Sequence, residues 1–224
     1  MDQTSVNNIT NTSSGNPHAV FEKFGKELLV LAGEHLFVEN ESPKGIYFIK
    51  SGKIATKHLN ASGENQIINI YSKGEILGIR SCIQQQQTDK TAYALEKSIY
   101  IFLPINTFIH QLTNYPGFNF YTSQMLEKNI NEIESRATIL LQRPAAERLA
   151  YTILMFHKKF GEKEGFLNIV LPIKDYARLI GTTRTTVYRL FKSFTKKNWI
   201  NCDKSNHIQI CDKDALQQLS PGNL

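Results

Sequence analysis

The 224-residue sequence predicts an α+β chain: a β-roll, then one long helix, then a small helical domain closed by a β-hairpin. Three observations carry that expectation. Short β-branched and aromatic runs separated by glycine turns occupy residues 33–103. Residues 117–142 contain no proline and repeat apolar side chains at coiled-coil spacing. All of the net charge of +6 falls in residues 144–224, which hold 13 Lys and Arg against 7 Asp and Glu, while residues 1–143 hold 13 of each. A basic module joined to a neutral one is the footprint of a polyanion-binding protein.

The roll is expected from runs at 46–49, 53–56, 67–71 and 98–103, with turn signals at Ser51-Gly52, Asn60-Ala61-Ser62-Gly63 and Lys73-Gly74 between them. Gly52, Gly63 and Gly74 recur every 11 residues, which suits strand-turn-strand units. Ahead of the roll, residues 1–18 are rich in Asn, Thr and Ser and lack the basic start and apolar core of a signal peptide. A flexible tail on a cytoplasmic protein is expected, with the sequons at Asn8, Asn11 and Asn60 as chance matches. An apolar content of 41% suffices for real cores, yet no run nears the 18 residues of a membrane span, so no membrane partner is expected. Cys82, Cys202 and Cys211 form no CxxC pair. They suit small, partly buried positions in a reducing compartment better than a disulfide framework or a zinc site, with a redox thiol at Cys82 as the alternative.

After Pro116, the positions Leu126, Ile130, Ile133, Ala137 and Leu140 step by 4, 3, 4 and 3 residues. That is the seam of a coiled coil, and a helix of about 25 residues spans roughly 37 Å, more than a small roll can cover. A second copy of the same helix is the natural partner, so these five residues are the expected interface of a two-fold homodimer. Pro144 interrupts the helix and suits the start of another, over 145–160. Gly161 and Gly165 then mark a polar turn, and residues 167–171 form a short strand.

Residues 174–180 and 183–196 predict two short helices joined at Gly181. Ala177 is small where the helices cross, Gly181 can take positive φ, and Val187 with Leu190 plugs the core, which is the helix-turn-helix pattern. The second helix exposes Thr183, Arg184, Thr185, Tyr188, Arg189 and Lys192. Entering a major groove, it would let Arg184 and Arg189 grip guanine, while Thr182, Thr183 and the free amides at its start take a phosphate. Lys174, Lys196 and Lys197 extend the positive strip, and double-stranded DNA is the expected partner. A β-hairpin wing follows, with Trp199-Ile200 and residues 207–210 around the turn 203–206 and His207 on its surface.

Over roughly residues 19–215 the chain resembles the Crp/Fnr family of bacterial regulators. The resemblance rests on Gly33, Gly45, Gly52, Gly74 and Gly78 at the turns of the roll, Pro116, Glu147-Arg148-Leu149-Ala150, and above all residues 179–189. It implies a cyclic-nucleotide-binding-like β-roll (19–116) after the tail (1–18), a dimerisation helix (117–143) and a C-terminal winged helix-turn-helix (144–224). It also implies a homodimer on a near-palindromic site that recruits or blocks RNA polymerase.

Two departures from the family matter. Its reading helix carries an acidic residue between two arginines, and here Thr185 stands at that position between Arg184 and Arg189. Members that bind cyclic AMP carry Gly-Glu and later Arg-Ser-Ala. The counterpart stretches are Gly78-Ile79-Arg80-Ser81 and Lys90-Thr91-Ala92, and on the long helix Ile133 and Glu134 stand where hydroxyls would face the adenine. Ile79 cannot accept a ribose hydroxyl, so independence from cyclic AMP is expected. Lys90, Thr91 and Arg80 keep some anion-binding character, which leaves open a regulator gated by an unidentified anionic small molecule.

No cofactor or metal is expected. Residues 1–30 contain no cysteine for an iron–sulfur cluster, and His35, His58 and His110 are scattered singly. A nucleotide-sensing regulatory subunit acting by protein contact is opposed by the helix-turn-helix. A cupin-like metalloenzyme is opposed by the lack of any His-x-His pair. No phosphate loop, nucleophile elbow or metal motif offers catalytic residues, so a non-enzyme is expected.

Overall fold

The computed structural model describes residues 17–59 and 65–220. A first helix, α1 (Pro17–Phe24), precedes the strands β1 (Lys26–Val30), β2 (His35–Phe37), β3 (Gly45–Ser51), β4 (Ile54–Leu59), β5 (Asn65–Tyr71) and β6 (Ile76–Leu77). The short α2 (Ile79–Gln84) leads into β7 (Thr91–Ala94) and β8 (Ser98–Pro104), followed by the helices α3 (Ile105–Asn114), α4 (Pro116–Gln142) and α5 (Ala145–Phe160). The C-terminal part adds β9 (Glu162–Lys163), β10 (Phe166–Leu167), α6 (Ile173–Leu179), α7 (Arg184–Lys196), β11 (Ile200–Cys202), β12 (Ile208–Ile210) and α8 (Lys213–Leu219). The expected turn at Gly63, the sequons and residues 1–16 of the expected tail lie outside the described residues. Residues 17 and 18, assigned to that tail, instead open α1, whose Phe21 is buried and stacks on Phe48 with ring centroids 4.8 Å apart.

The roll consists of two four-stranded sheets, ordered β1-β8-β3-β6 and β2-β7-β4-β5. Strand β3 shows how alternation builds it, because successive side chains leave a strand on opposite faces. Tyr47 and Ile49 join Val30, Ile54, Leu77, Ala92 and Ala94 in one core. Ile46 and Phe48 join Phe21, Ile101, Leu103, Phe108 and Phe118 in another, which the flanking helices cover. Gly45 corrects the expectation that it sits at a turn. It begins β3, and a Cβ there would meet the Leu103 carbonyl oxygen at 2.2 Å.

The described residues divide into two compact units, 17–56 with 70–130 and 57–59 and 65–69 with 131–220. Within the second unit, the Arg136 guanidinium of α4 donates to the Ile68 carbonyl. Lys159 of α5 pairs with Glu132 at 2.9 Å. Helices α5, α6 and α7 pack through Leu149, Ile153, Phe156, Tyr176, Val187 and Phe191, all buried. Leu190, expected to plug this core, is only half-buried, because Phe191 and Phe194 face inward one and four positions further on. The strand expected at 167–171 is shorter. Phe166 and Leu167 pair with Lys163 and Glu162 across a turn in which Glu164 and Gly165 both take positive φ. Helix α8 was not foreseen, although Asp212 caps it by accepting the Ala215 N–H at 2.9 Å and Leu216 is buried.

Gly52 illustrates the constraint at the turns. Its φ is +87°, and a Cβ would lie 2.0 Å from the Oγ of Ser98. That buried hydroxyl accepts the Lys53 N–H at 3.1 Å and donates to the Glu96 carbonyl at 2.8 Å. Gly52→Ala is expected to destabilise the roll by about 2–4 kcal/mol, combining left-handed strain with a displaced buried hydroxyl. Urea unfolding followed by tyrosine fluorescence would measure it.

Candidate nucleic-acid interface

The reading helix is built from its first turn outward. Gly181 takes φ +59° in the turn, and the Thr182 N–H donates to the Ala177 carbonyl at 3.0 Å, closing α6. Thr183 is the N-cap of α7. Its Oγ1 accepts the Thr186 N–H at 3.2 Å and lies 2.9 Å from the Thr186 hydroxyl. Such a cap stabilises a helix start by about 1 kcal/mol. Behind α7, Val187, Phe191 and Phe194 are buried, and the Tyr176 ring of α6 meets Phe191 edge-on at 5.2 Å.

In front of α7, Arg184, Thr185, Tyr188, Arg189, Lys192 and Lys196 are all exposed on one face. Among the described residues none of these four cations is held in an ion pair by a carboxylate, so their donors remain available for a polyanion. Lys192 Nζ stands 4.6 Å from the centroid of the Tyr188 ring, and Lys197 Nζ 4.3 Å from that of Trp199. Thr182 is half-buried in the turn, and Lys174 is exposed in the first turn of α6. Arg184, Thr185, Tyr188, Arg189 and Lys192 therefore share the exposed face of α7, with Thr183 as its cap, while Lys174 lies on α6.

The wing forms as expected, with Ile200 opposite Ile210 and Cys202 opposite Ile208. Its turn is organised by Asp203, whose carboxylate accepts the N–H groups of Ser205 at 2.8 Å and His207 at 2.9 Å and lies 2.8 Å from His207 Nδ1. The hydrogen bond from the His207 amide, the largest influence, holds that carboxyl below the usual aspartate range. Between α7 and this turn lies a cleft of about 710 Å³, lined by Tyr188, Phe191, Lys192, Lys196, Lys204 and Asn206 among others. Lys204 and Asn206 were not singled out from the sequence. The basic turn of a hairpin was the signal available.

The candidate effector residues are differently placed. Ile79 is 2% exposed and packs in the core with Phe21 and Phe108. Gly78 precedes it at φ +87°, with the Gly45 carbonyl close by. Arg80 is hydrogen-bonded to Asp89, and Lys90 Nζ lies 3.8 Å from the same carboxylate. Burial would raise the Asp89 pKa, but the Arg80 hydrogen bond and the charges of Lys90 and Arg80 outweigh it and hold the carboxyl below its usual range. Burial, the largest influence, lowers the Lys90 pKa. The Thr91 hydroxyl is engaged by the Glu39 N–H at 3.0 Å, and Ser81 is half-buried in α2. Ile133 and Glu134 are exposed on α4. Between the sheets, where a small molecule would need room, Tyr47 packs against Phe37, Tyr100 and Phe102 with centroids 5.2–5.6 Å apart.

The thiol of Cys82 is fully buried, and burial pushes its pKa up to about 12, which disfavours the thiolate that redox chemistry needs. Among the described residues no group of three or more His, Cys, Asp or Glu converges on a metal position, and no helix is long and apolar enough to cross a membrane.

A reading helix on a basic face, a wing beside it and a cyclic-nucleotide-type roll before it define a DNA-binding transcription regulator. The family profile described as cyclic nucleotide-binding domain matches residues 27–115, and that described as Crp-like helix-turn-helix domain matches residues 147–219. The fumarate and nitrate reduction regulatory protein of Yersinia pestis is 27% identical over 84% of this chain and 76% of its own length. Two solved structures share the fold. FixK2 from Bradyrhizobium japonicum has a TM-score of 0.80 at 16% identity, covering 89% of this chain and 99% of that one. A Crp/Fnr-family transcriptional regulator from Thermus thermophilus has a TM-score of 0.74 at 19% identity, covering 88% and 99%. The chain belongs to the Crp/Fnr family of DNA-binding transcription regulators.

Replacing Arg184 or Arg189 by Ala should leave the fold intact and lower site-specific affinity by about 1–3 kcal/mol per half-site, with a smaller loss on random DNA. Parallel titrations of a selected site and a scrambled duplex measure the two. Equal losses on both would reduce these arginines to phosphate contacts.

Proposed function

We propose that this protein regulates transcription as a cytoplasmic, non-enzymatic homodimer on a near-palindromic DNA site, without dependence on cyclic AMP. The functional division is a sensory roll over 19–116, a dimerisation helix over 117–143 and a DNA-binding domain over 144–224. The observation that supports the reading is the basic face of α7, whose Arg184, Arg189 and Lys192 project from a capped helix with no carboxylate pairing them among the described residues. Two such helices related by a two-fold axis would read two half-sites, and contact with RNA polymerase is the means of regulation the family implies.

The dimer is supported by α4. Ile130 is 53% exposed, Ile133 39% and Leu141 86%, with Ala137 exposed among them. Leu126 and Leu140, expected in the same seam, are half-buried, and Leu126 packs on the core of the roll. The proposed seam is accordingly centred on Ile130, Ile133 and Ala137, with Leu141 added at its end. A helix face this apolar is covered at low cost by its own copy.

Independence from cyclic AMP is supported by the occupied positions. Ile79 belongs to the core, Thr91 is engaged, and Asp89 stands between Arg80 and Lys90 where an incoming phosphate would need both cations. The same carboxylate weighs against another anionic effector, which would first have to displace it.

Binding to a palindromic duplex should weaken steeply with salt. With about eight phosphate contacts per dimer, the log–log slope is expected near −7. A flat response in fluorescence anisotropy would overturn the DNA reading. Ile133→Asp should convert the dimer to monomer at micromolar concentration, since an uncompensated buried charge costs several kcal/mol, and sedimentation decides it. Cyclic AMP should show no micromolar binding by calorimetry. Two unpartnered polar groups of the ligand, the ribose hydroxyl and the adenine edge, at about 1–3 kcal/mol each, shift a micromolar ligand towards millimolar.

A further inference from the structure

We propose that the centre of the α7 reading face selects thymine: the Thr185 methyl and the Tyr188 ring form an apolar patch that packs a thymine 5-methyl group, at a base pair between those read by Arg184 and Arg189. The proposal rests on the DNA reading above and names a specificity that reading leaves unassigned.

The face determines what it can recognise. Residues 184–196 contain no Asp or Glu to accept from cytosine N4, and no Asn or Gln to pair with the adenine edge. The arginines are suited to guanine O6 and N7. Between them lie Thr185 and, one turn on at i+3, Tyr188, neighbours on the helix surface. Beside hydroxyls that do not discriminate strongly among bases, these two offer a base edge a methyl group and an aromatic ring, and the major-groove feature that rewards apolar contact is the methyl of thymine.

Tyr188 is unusual for an exposed position. A large aromatic, it remains 48% exposed, and the chain provides its hydroxyl with no hydrogen bond among the described residues. Its ring is nonetheless held. The Lys192 ammonium stands over it at 4.6 Å, a cation–π contact that restricts the ring, and the same ring walls the cleft beside the wing. Lys192, Lys196 and Lys204 bring positive charge to that cleft, so a sugar–phosphate strand lying along it would set the base edges of the groove against the Thr185–Tyr188 patch. A restrained apolar surface discriminates better than a mobile one, because less side-chain freedom is lost on contact.

The test uses the full-length chain. Selection from a random duplex pool defines the preferred half-site, and each thymine in it is then replaced singly by uracil, which removes only the 5-methyl. At one position between the arginine-read pairs, uracil is expected to weaken binding about fourfold per half-site, the worth of one buried methyl. Tyr188→Ala and Thr185→Ser should each bring the thymine-to-uracil ratio towards one, and Tyr188→Phe should preserve it. Retained affinity for random DNA shows that the variants are folded. Uracil tolerated at every position, a selected half-site with no thymine there, or an undiminished ratio in both Tyr188→Ala and Thr185→Ser would overturn the proposal while leaving DNA binding intact. Failure of the wild-type chain to bind any duplex would overturn both.

Discussion

What the chain can present to DNA depends on one packed crossing, Tyr176 and Ala177 of α6 against Val187 and Phe191 of α7. Tyr176 is fully buried and meets Phe191 and Phe156 edge-on, while Ala177 is small enough for close approach. Among the described residues the Tyr176 hydroxyl has no hydrogen-bond partner, so at this residue ring shape and buried area carry the crossing. Because the buried side of α7 is set by Val187, Phe191 and Phe194, the opposite side is set as well, and Arg184, Thr185, Tyr188 and Arg189 face outward by helical geometry alone. The caps, the turn at Gly181 and the wing position a surface whose orientation this core has already decided.

The same logic explains which features were legible in the sequence. The reading face was, because its determinants lie within 22 residues and follow a helical period. Strands β3, β4, β5 and β8 were, because each carries a β-branched or aromatic run. Strands β1, β2, β6 and β7 were not. They span two to five residues and owe their pairing to partners far along the chain, as β1 does to β8. The apolar stripe of α4 was legible in period, but whether Leu140 or its neighbour Leu141 faces outward depends on what packs behind α4, which spacing does not encode.

The N-terminal roll shows the limit most clearly. That Ile79 cannot accept a hydroxyl is visible from its chemistry. That Asp89 reaches back nine residues to Arg80, or that Tyr47, Tyr100 and Phe102 from different strands converge between the sheets, appears only once the strands are paired. The aromatic contacts of Tyr47 with Phe37, Tyr100 and Phe102 join strands that lie far apart in the sequence, and the area they bury stabilises the roll.

Arg148 of α5 bears on how the chain could bend. Its guanidinium donates to the Leu140 carbonyl at 3.1 Å, near the end of α4, and reaches the Gly181 carbonyl at 3.5 Å in the turn before α7. Pro144 breaks the backbone ladder between α4 and α5 and would by itself leave a free pivot. The guanidinium latches that pivot from the side, fastening the last turn of the long helix to the turn that aims the reading helix. A swing at Pro144 would separate the two carbonyls that this single guanidinium now holds together.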